Sequence, residues 1–402
     1  MTELFTLGEL YVSDFINEES SNIKHELKLM LDDNGSVRLE KCAPLDSMYG
    51  KYWYRSGINQ SMKDDLKDIV DSISKVVNIK DGYPVWIDIA CNDGTMFDYM
   101  PDNVLKIGVD PADDSFKDES IKKADLIIQD YFTLDSYMNS NVRNLKGDVV
   151  TVIAMFYDLD DPNIFLQDIN KIMKDDGLLV LQMSYTPLML KQMAFDNICH
   201  EHVYYYSLFN IKSLLERNGL KVVDCQLNSV NGGSFRVYVK KQGHEHNFHT
   251  QPYRDVASFR VNSILEYEKT LGLDKVETWT KFYDDIIELK ETTVDFIKTA
   301  KKLGKTVWGY GASTKGNTLL QFFGLDHTLI DGIAERSPYK WGLKTVGTKI
   351  PIYSEDEMRK AKPDYLLVLP WHFISEFVKR EKDFLINGGK FIVPCPKFEI
   401  IE

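Results

Sequence analysis

"VWIDIACNDGTMF", residues 85–97, decides the fold. A short apolar run rich in β-branched and aromatic side chains meets an aspartate, a turn and a glycine, and a second apolar segment follows. This is the pattern of a strand, a sharp turn and the start of a helix, the opening unit of a doubly wound α/β sheet. The alternation continues downstream. "VLKIGVD" (104–110), "DVVTVIAMF" (148–156) and "DGLLVLQMS" (176–184) read as strands, with helical stretches such as "NIFLQDINKIMK" (163–174) between them. "KVVDCQL" (221–227) and "GSFRVYVK" (233–240) stand close together and read as an antiparallel edge. The alternation restarts with "KTVWGYG" (305–311) and runs through "TLIDGIAE" (328–335), "DYLLVLP" (364–370) and "GKFIVP" (389–394), which predicts a second, smaller α/β domain.

A chain of 402 residues exceeds a single ordinary core. The pattern divides it into four parts: a small N-terminal domain (1–62), a central α/β domain (63–241), a polar linker with a long helical segment from about 254 to 303 (242–304), and a C-terminal α/β domain (305–402). Sixty-one acidic against 48 basic side chains give a net charge of -13, which argues against nucleic acid or an anionic membrane as partner. The longest apolar run, "VVTVIAMF" (149–156), is far too short to span a bilayer. Acids in "MTELFTLGEL" stand where a secretory signal carries lysines, and five scattered cysteines without a C-x-x-C suit a reduced compartment. A cytoplasmic protein is expected.

The turn at residues 90–94 departs from the G-x-G-x-x-G of pyrophosphate binders, since Ala90 and Asn92 stand where glycines would. A looser turn suits a nucleoside cofactor without phosphate. S-adenosylmethionine (SAM) carries ammonium and sulfonium cations, which welcome Asp88 at the first strand end. Asp110 in "IGVDPA" closes the second strand, where an acid takes ribose hydroxyls. Asp130 in "IIQDYF" closes the third, placed for the adenine amino group. The cofactor is expected to meet Met62, Asp88, Ala90, Asn92, Gly94, Asp110, Pro111, Asp130 and Tyr131.

"ICHEHVYYYS" (198–207) concentrates proton-handling groups. On composition it fits a polar loop, the commoner case, or a place where a proton is moved. As a metal site it is weak, because H-x-H offers two ligands and no third is obvious. A second H-E-H (244–246) lies in a polar stretch and reads as a solvated turn. "VWGYGASTKGNTLL" (307–320) is another strand, glycine turn and helix start. Anion binding at the helix N-terminus, dinucleotide binding and a purely structural turn all remain open for it.

With these stretches in view the chain resembles the sugar C-methyltransferase family acting on nucleotide-diphosphate keto-sugars. The resemblance rests on "LGELYVSDF", "YGKYWYRSGINQSM", "DIACNDGTM", "AMFYDLDDP", "FDNICHEHVYYYSL", "NGGSFRVYV", "GYGASTKGNTLL" and "ERSPYKWGLKTVGTKIPI", in order along nearly the whole chain. It implies a class I SAM-dependent methyltransferase domain with a Rossmann-like C-terminal domain and a small N-terminal domain. It also implies methylation of carbon 3 of a 4-keto-6-deoxy sugar through an enolate. By this resemblance His202 matches the general base, Glu201 its acidic partner, Tyr54 (with Tyr52 as fallback) an aromatic of the site, and Asp158 a strand-end group where other members have histidine. Cys199 falls where some members have a catalytic tyrosine. His200, Tyr52, Ser313, Lys315, Asn317, Arg336 and Lys340 are expected to hold the nucleotide sugar. The family's four-cysteine zinc site finds no cysteine in "MLDDNGSV" (30–37), so no metal is expected. A monomer or homodimer is expected. An O- or N-methyltransferase, and a nucleotide-sugar-binding protein without catalysis, are the alternative readings.

Overall fold

The computed structural model describes residues 1–17, 23–44, 48, 53–77, 82–245 and 251–402. Packing divides the chain into two compact units. A central unit comprises Pro44–Thr186 and Val203–Gly272. A terminal unit comprises Met1–Ala43, Pro187–His202 and Leu273–Glu402.

The central unit is built on a seven-stranded sheet. Its strands run in the order Leu220–Asn228, Ser234–Lys241, Met173–Ser184, Gly147–Ile153, Val85–Ile89, Leu105–Val109 and Leu126–Ile128. The last five in that order pair in parallel; the first two are antiparallel, as the sequence indicates for 221–240. This is the class I methyltransferase arrangement, with the order reversing beside Val85–Ile89. Strands at the middle of a parallel sheet are covered on both faces and read as continuous apolar runs. Accordingly every residue of Val85–Ile89 is buried. Helix Gln60–Val76 places Met62, Leu66, Ile69, Val70 and Ile73 at helical spacing and packs them around the fully buried Trp86.

Two ionic networks hold this unit's antiparallel side. Arg236, 2% exposed, donates to Gln182 Oε1 (2.8 Å), Asp68 Oδ2 (2.9 Å) and Asp65 Oδ1 (3.3 Å). Asp224, fully buried on the edge strand, accepts a fork from Arg260 (2.9 and 2.5 Å) and a bond from the Tyr253 hydroxyl (3.3 Å). Arg260 lies on helix Gln251–Leu271, so this fork fastens the helix to the sheet.

The terminal unit holds a six-stranded sheet ordered Ile352–Ser354, Ile333–Glu335, Val307–Tyr310, Tyr365–Val368, Lys390–Val393 and Glu399–Ile401. All but the last strand are parallel. Strands Thr2–Tyr11, Lys24–Leu31 and Val37–Leu39 form an antiparallel meander in the same unit. Phe5 stacks on Tyr283 at 4.8 Å, and the Tyr11 main chain exchanges bonds with the Gln321 amide (2.8 and 3.1 Å).

These units cut across the four-part division read from the sequence. The N-terminal meander packs into the body that holds the C-terminal α/β fold. The helical stretch expected from 254 to 303 is two helices, Gln251–Leu271 in the central unit and Val276–Lys302 in the terminal one. Gly272, at φ 62°, takes the left-handed conformation that ends the first helix. Residues 187–202 join the terminal unit, where Phe195 stacks on Phe323 at 5.2 Å. Among the described residues no helix is long and apolar enough to cross a membrane.

Replacing Arg260 with alanine leaves the Asp224 carboxylate buried without its cation. The expected loss is about 3–5 kcal/mol, read as a lowered urea midpoint, with Arg260→Lys recovering only part of it.

Candidate functional site

In the central unit a cavity of about 340 Å³ opens at the carboxyl ends of the parallel strands. Ligands of doubly wound sheets bind there, beside the point where strand order reverses. Its floor is the turn after Val85–Ile89. The amides of Ala90 and Cys91 donate to the Val109 carbonyl (2.8 and 3.3 Å), and the Asn92 amide donates to Asp110 Oδ2 (2.7 Å). Asp110 Oδ1 accepts from the Ala112 amide (2.9 Å). The Asn92 side chain is held by the Tyr54 carbonyl (3.0 Å) and the Ser56 amide (3.0 Å), which brings 54–56 onto the rim.

The turn therefore needs left-handed backbone without using glycine throughout. Ala90 (φ 61°) and Asn92 (φ 54°) occupy that region, and so does Ala154 (φ 54°) after the strand Gly147–Ile153. All three line the same cavity. Strain in non-glycine residues concentrates at ligand sites, where surrounding bonds over-determine the backbone. Gly94 (φ 70°) is different: a Cβ there would stand 2.8 Å from Ser120 Cα.

Asp88 faces the cavity and is 3% exposed. Its Oδ1 accepts from Thr151 Oγ1 at 2.6 Å, and that oxygen in turn accepts from Trp86 Nε1 at 3.1 Å. Burial pushes the Asp88 carboxyl up to about 7, partly offset by the Thr151 bond and reinforced by Asp110. Asp110 is also raised, again chiefly by burial. Asp158 and Asp160 line the same space, and the Tyr54 hydroxyl is buried there without a hydrogen-bond partner. Four carboxyl groups in a mostly apolar cavity fit a ligand that is cationic and carries hydroxyls. SAM is such a ligand: Asp88, Asp110, Asp158 and Asp160 suit its cations and ribose, and Phe132, Phe165 and Tyr131 offer apolar faces.

Of the residues expected around the cofactor, Met62, Asp88, Ala90, Asn92, Asp110, Pro111 and Tyr131 line the cavity. Gly94 shapes the turn from behind, and Asp130 is exposed, accepting from the Tyr131 amide (2.8 Å) outside the lining. Tyr54 and Asp158, expected to act in catalysis, are on the cavity wall. The sequence reading missed Phe132, Ala154, Met155, Leu159 and Asp160. All follow strand ends of the parallel sheet, which is the signal that would have found them.

The terminal unit carries a second constellation. His202, 7% exposed, sets its Nδ1 2.8 Å from the Asn197 carbonyl oxygen. That contact makes Nδ1 the protonated nitrogen and leaves the Nε2 lone pair as acceptor. The Asn197 side-chain oxygen accepts from Lys315 Nζ at 2.5 Å. Burial first, and then Lys315, pushes the His202 imidazole down to about 3. Burial pushes Glu201 up to about 7 against the attraction of Lys315. The imidazole is thus a permanent acceptor and not a group poised at neutrality. One ligand atom each from Cys199, Glu201 and His202 falls within 4.8 Å of the others. This set includes a third ligand type that H-x-H alone did not offer, with the Lys315 cation facing it.

The remaining expectations separate. His200 directs Nε2 at the His25 carbonyl oxygen (3.0 Å) and is buried beside that histidine. Ser313 caps helix Thr314–Phe323 by accepting from the Gly316 amide (2.9 Å). Asn317, 1% exposed, donates to the Asp14 carbonyl (3.2 Å). Lys340 is buried over the Phe15 ring and donates to the Ala312 carbonyl (2.7 Å), so its charge serves the interior. Arg336 is exposed, 3.8 Å from Glu376. Tyr52 lies outside the described residues. Tyr204, Tyr205 and Tyr206 belong to the central unit; Tyr206 stacks on Tyr204 at 5.5 Å and meets Phe156 at 5.6 Å, as core aromatics do.

A methyltransferase-domain model matches residues 58–224, and a model described as the C-methyltransferase C-terminal domain matches 229–396. The chain is 29% identical over 357 residues to the C-methyltransferase NovU of Streptomyces niveus, covering 89% of this chain and 82% of that one. Among solved structures, magnesium protoporphyrin IX methyltransferase from Synechocystis PCC 6803 is 13% identical with a TM-score of 0.35, covering 46% of this chain and 89% of that one. A SAM-dependent methyltransferase from Clostridium acetobutylicum is 14% identical with a TM-score of 0.34, covering 46% and 93%. At those values neither bears on function. The two matched models together span most of the chain, which is a SAM-dependent methyltransferase similar to C-methyltransferases.

Proposed function

We propose that the protein methylates carbon 3 of a nucleotide-diphosphate 4-keto-6-deoxy sugar, as part of branched deoxysugar synthesis. The observation that carries this is the buried imidazole of His202, fixed in one tautomer by the Asn197 carbonyl at 2.8 Å. Methylation at carbon needs a carbanion, and a carbon beside a ketone gives one when a base removes its proton. Nε2 of His202 is an acceptor held for that task. Glu201 stands beside it and takes a proton near neutral pH, so it can relay what His202 accepts. When bound, SAM supplies the electrophilic methyl on its sulfonium.

The chain's own residues do the rest. Asp88 and Asp110 hold the cationic donor by charge and hydrogen bonds, and the apolar cavity wall excludes water from it. Ser313, the N-cap of helix Thr314–Phe323, and the exposed Arg336 are the groups of the terminal unit suited to the substrate's diphosphate. Proton removal and methyl transfer are separable steps, because exchange of the carbon 3 proton needs no methyl donor.

Two outcomes check this reading. In deuterated water without SAM, the protein is expected to exchange the carbon 3 proton of thymidine diphosphate 4-keto-6-deoxyglucose. His202→Asn should slow that exchange by about 100-fold or more, and treatment with a chelator should leave it unchanged. Exchange that survives in His202→Asn removes His202 as the base.

The second concerns the cofactor cavity. An Asp88 carboxyl near 7 is neutral below that pH and anionic above it. SAM affinity should therefore rise by about tenfold between pH 6 and pH 8, roughly the worth of one added charge pair in a partly shielded cavity. Calorimetry at the two pH values reads the change, and Asp88→Asn should flatten it.

A further inference from the structure

We propose that Lys315 is a catalytic residue of the enolisation step, its ammonium taking up the negative charge that develops on the substrate's carbonyl oxygen, with Asn197 positioning it. This rests on the reading that His202 removes the proton.

The sequence placed Lys315 with the diphosphate, because it opens a helix after a glycine turn. The side chain goes elsewhere. Nζ donates to Asn197 Oδ1 at 2.5 Å, and the main-chain oxygen of the same asparagine fixes His202 Nδ1 at 2.8 Å. One buried residue, 2% exposed, therefore sets both the tautomer of the imidazole and the position of the cation. The anchoring is firm on both sides. Phe195, two residues before Asn197, stacks on Phe323 of the helix that carries Lys315, and the hydroxyl of Ser313 caps that helix.

The groups that feel the Lys315 charge are Asp196, Glu201, His202 and His372. Each is buried or partly so, and one Asp196 carboxylate oxygen has no partner while the other accepts from Trp371 Nε1 at 3.1 Å. A cation in that company is surrounded by acid–base groups.

The chemistry requires such a cation. The bond between carbon 3 and its hydrogen breaks and the proton moves to Nε2 of His202. The electron pair left behind forms the carbon–carbon double bond, and the carbonyl π pair moves onto oxygen. A carbon beside a ketone gives up its proton to an imidazole only if the oxyanion this creates is well stabilised. The Lys315 charge favours the enolate oxygen. A preorganised donor aimed at a developing oxyanion is worth about 100- to 1000-fold in rate.

The test compares full-length wild type, Lys315→Met, Lys315→Arg, Asn197→Ala and His202→Asn. Carbon 3 exchange of thymidine diphosphate 4-keto-6-deoxyglucose is followed in deuterated water, and binding of thymidine diphosphate and of SAM is measured by calorimetry. Lys315→Met is expected to lower the exchange kcat by about 100-fold while thymidine diphosphate and SAM bind within twofold of wild type. Lys315→Arg should recover part of the rate, and Asn197→Ala should lose about tenfold. Should Lys315→Met not fold, the last two variants carry the test by the same split. A variant that exchanges at the wild-type rate, or that loses thymidine diphosphate binding with kcat retained, overturns the proposal and returns Lys315 to the phosphate. If His202→Asn is inactive while Lys315→Met is not, only this inference fails. If wild type does not exchange this ketone at all, the enolisation reading falls and takes the inference with it.

Discussion

A carboxyl group confined to an apolar strand end is the constraint on which the cofactor cavity depends. Asp88 sits at the head of a chain of bonds from Trp86 through Thr151, in the middle of the sheet. Water does not reach it freely, and the nearby Asp110 repels its ionised form. Such a group is costly when charged and alone, and it is stabilised by a cation that arrives. The turn follows from the same need. Asp110 is pinned by two main-chain amides, and one of them, from Asn92, is available only because the backbone there is left-handed. Strain at Ala90 and Asn92 is thus the local cost of presenting two acids to one ligand.

The terminal unit solves the opposite electrostatic problem. Its constellation is organised around a cation, Lys315, with neutral imidazoles and raised carboxyls about it. Burial and Lys315 act in the same direction on His202 and in opposite directions on Glu201. That is why the histidine leaves the neutral range while the glutamate enters it. Coulombic interaction between close groups in a shielded interior is strong enough to reorder ordinary pKa ranks.

Much of this was legible in the sequence because it is written in period and punctuation. The apolar runs at 85–89, 105–109 and 147–153 are buried parallel strands, and Asp88 and Asp110 at strand ends stand where such folds bind ligands. Asp130 follows the same rule yet faces solvent, because its strand, Leu126–Ile128, is short and forms the sheet's edge. What the sequence does not show is which body a segment joins. Residues 187–202 interrupt the central fold, and long-range contacts such as the Phe195–Phe323 stack and the Trp371–Asp196 bond reveal their allegiance. Lys315 and Lys340 looked alike as phosphate ligands; long-range packing sent one to Asn197 and the other to the Ala312 carbonyl. Gly272 was a visible helix stop inside what looked like one long helical stretch.

The two environments suit the two partners of the proposed reaction. A sulfonium donor is stabilised by acids and an enolate by a cation, so one set of groups cannot serve both without weakening each. An ammonium beside the sulfonium would weaken binding of the donor. Placing Asp88 and Asp110 in one unit and Lys315 in the other lets each field be built at full strength within its own packed core. The division of the chain into units that exchange segments is therefore also a division of charge. The segment 187–202 carries His202 into the unit that holds Lys315.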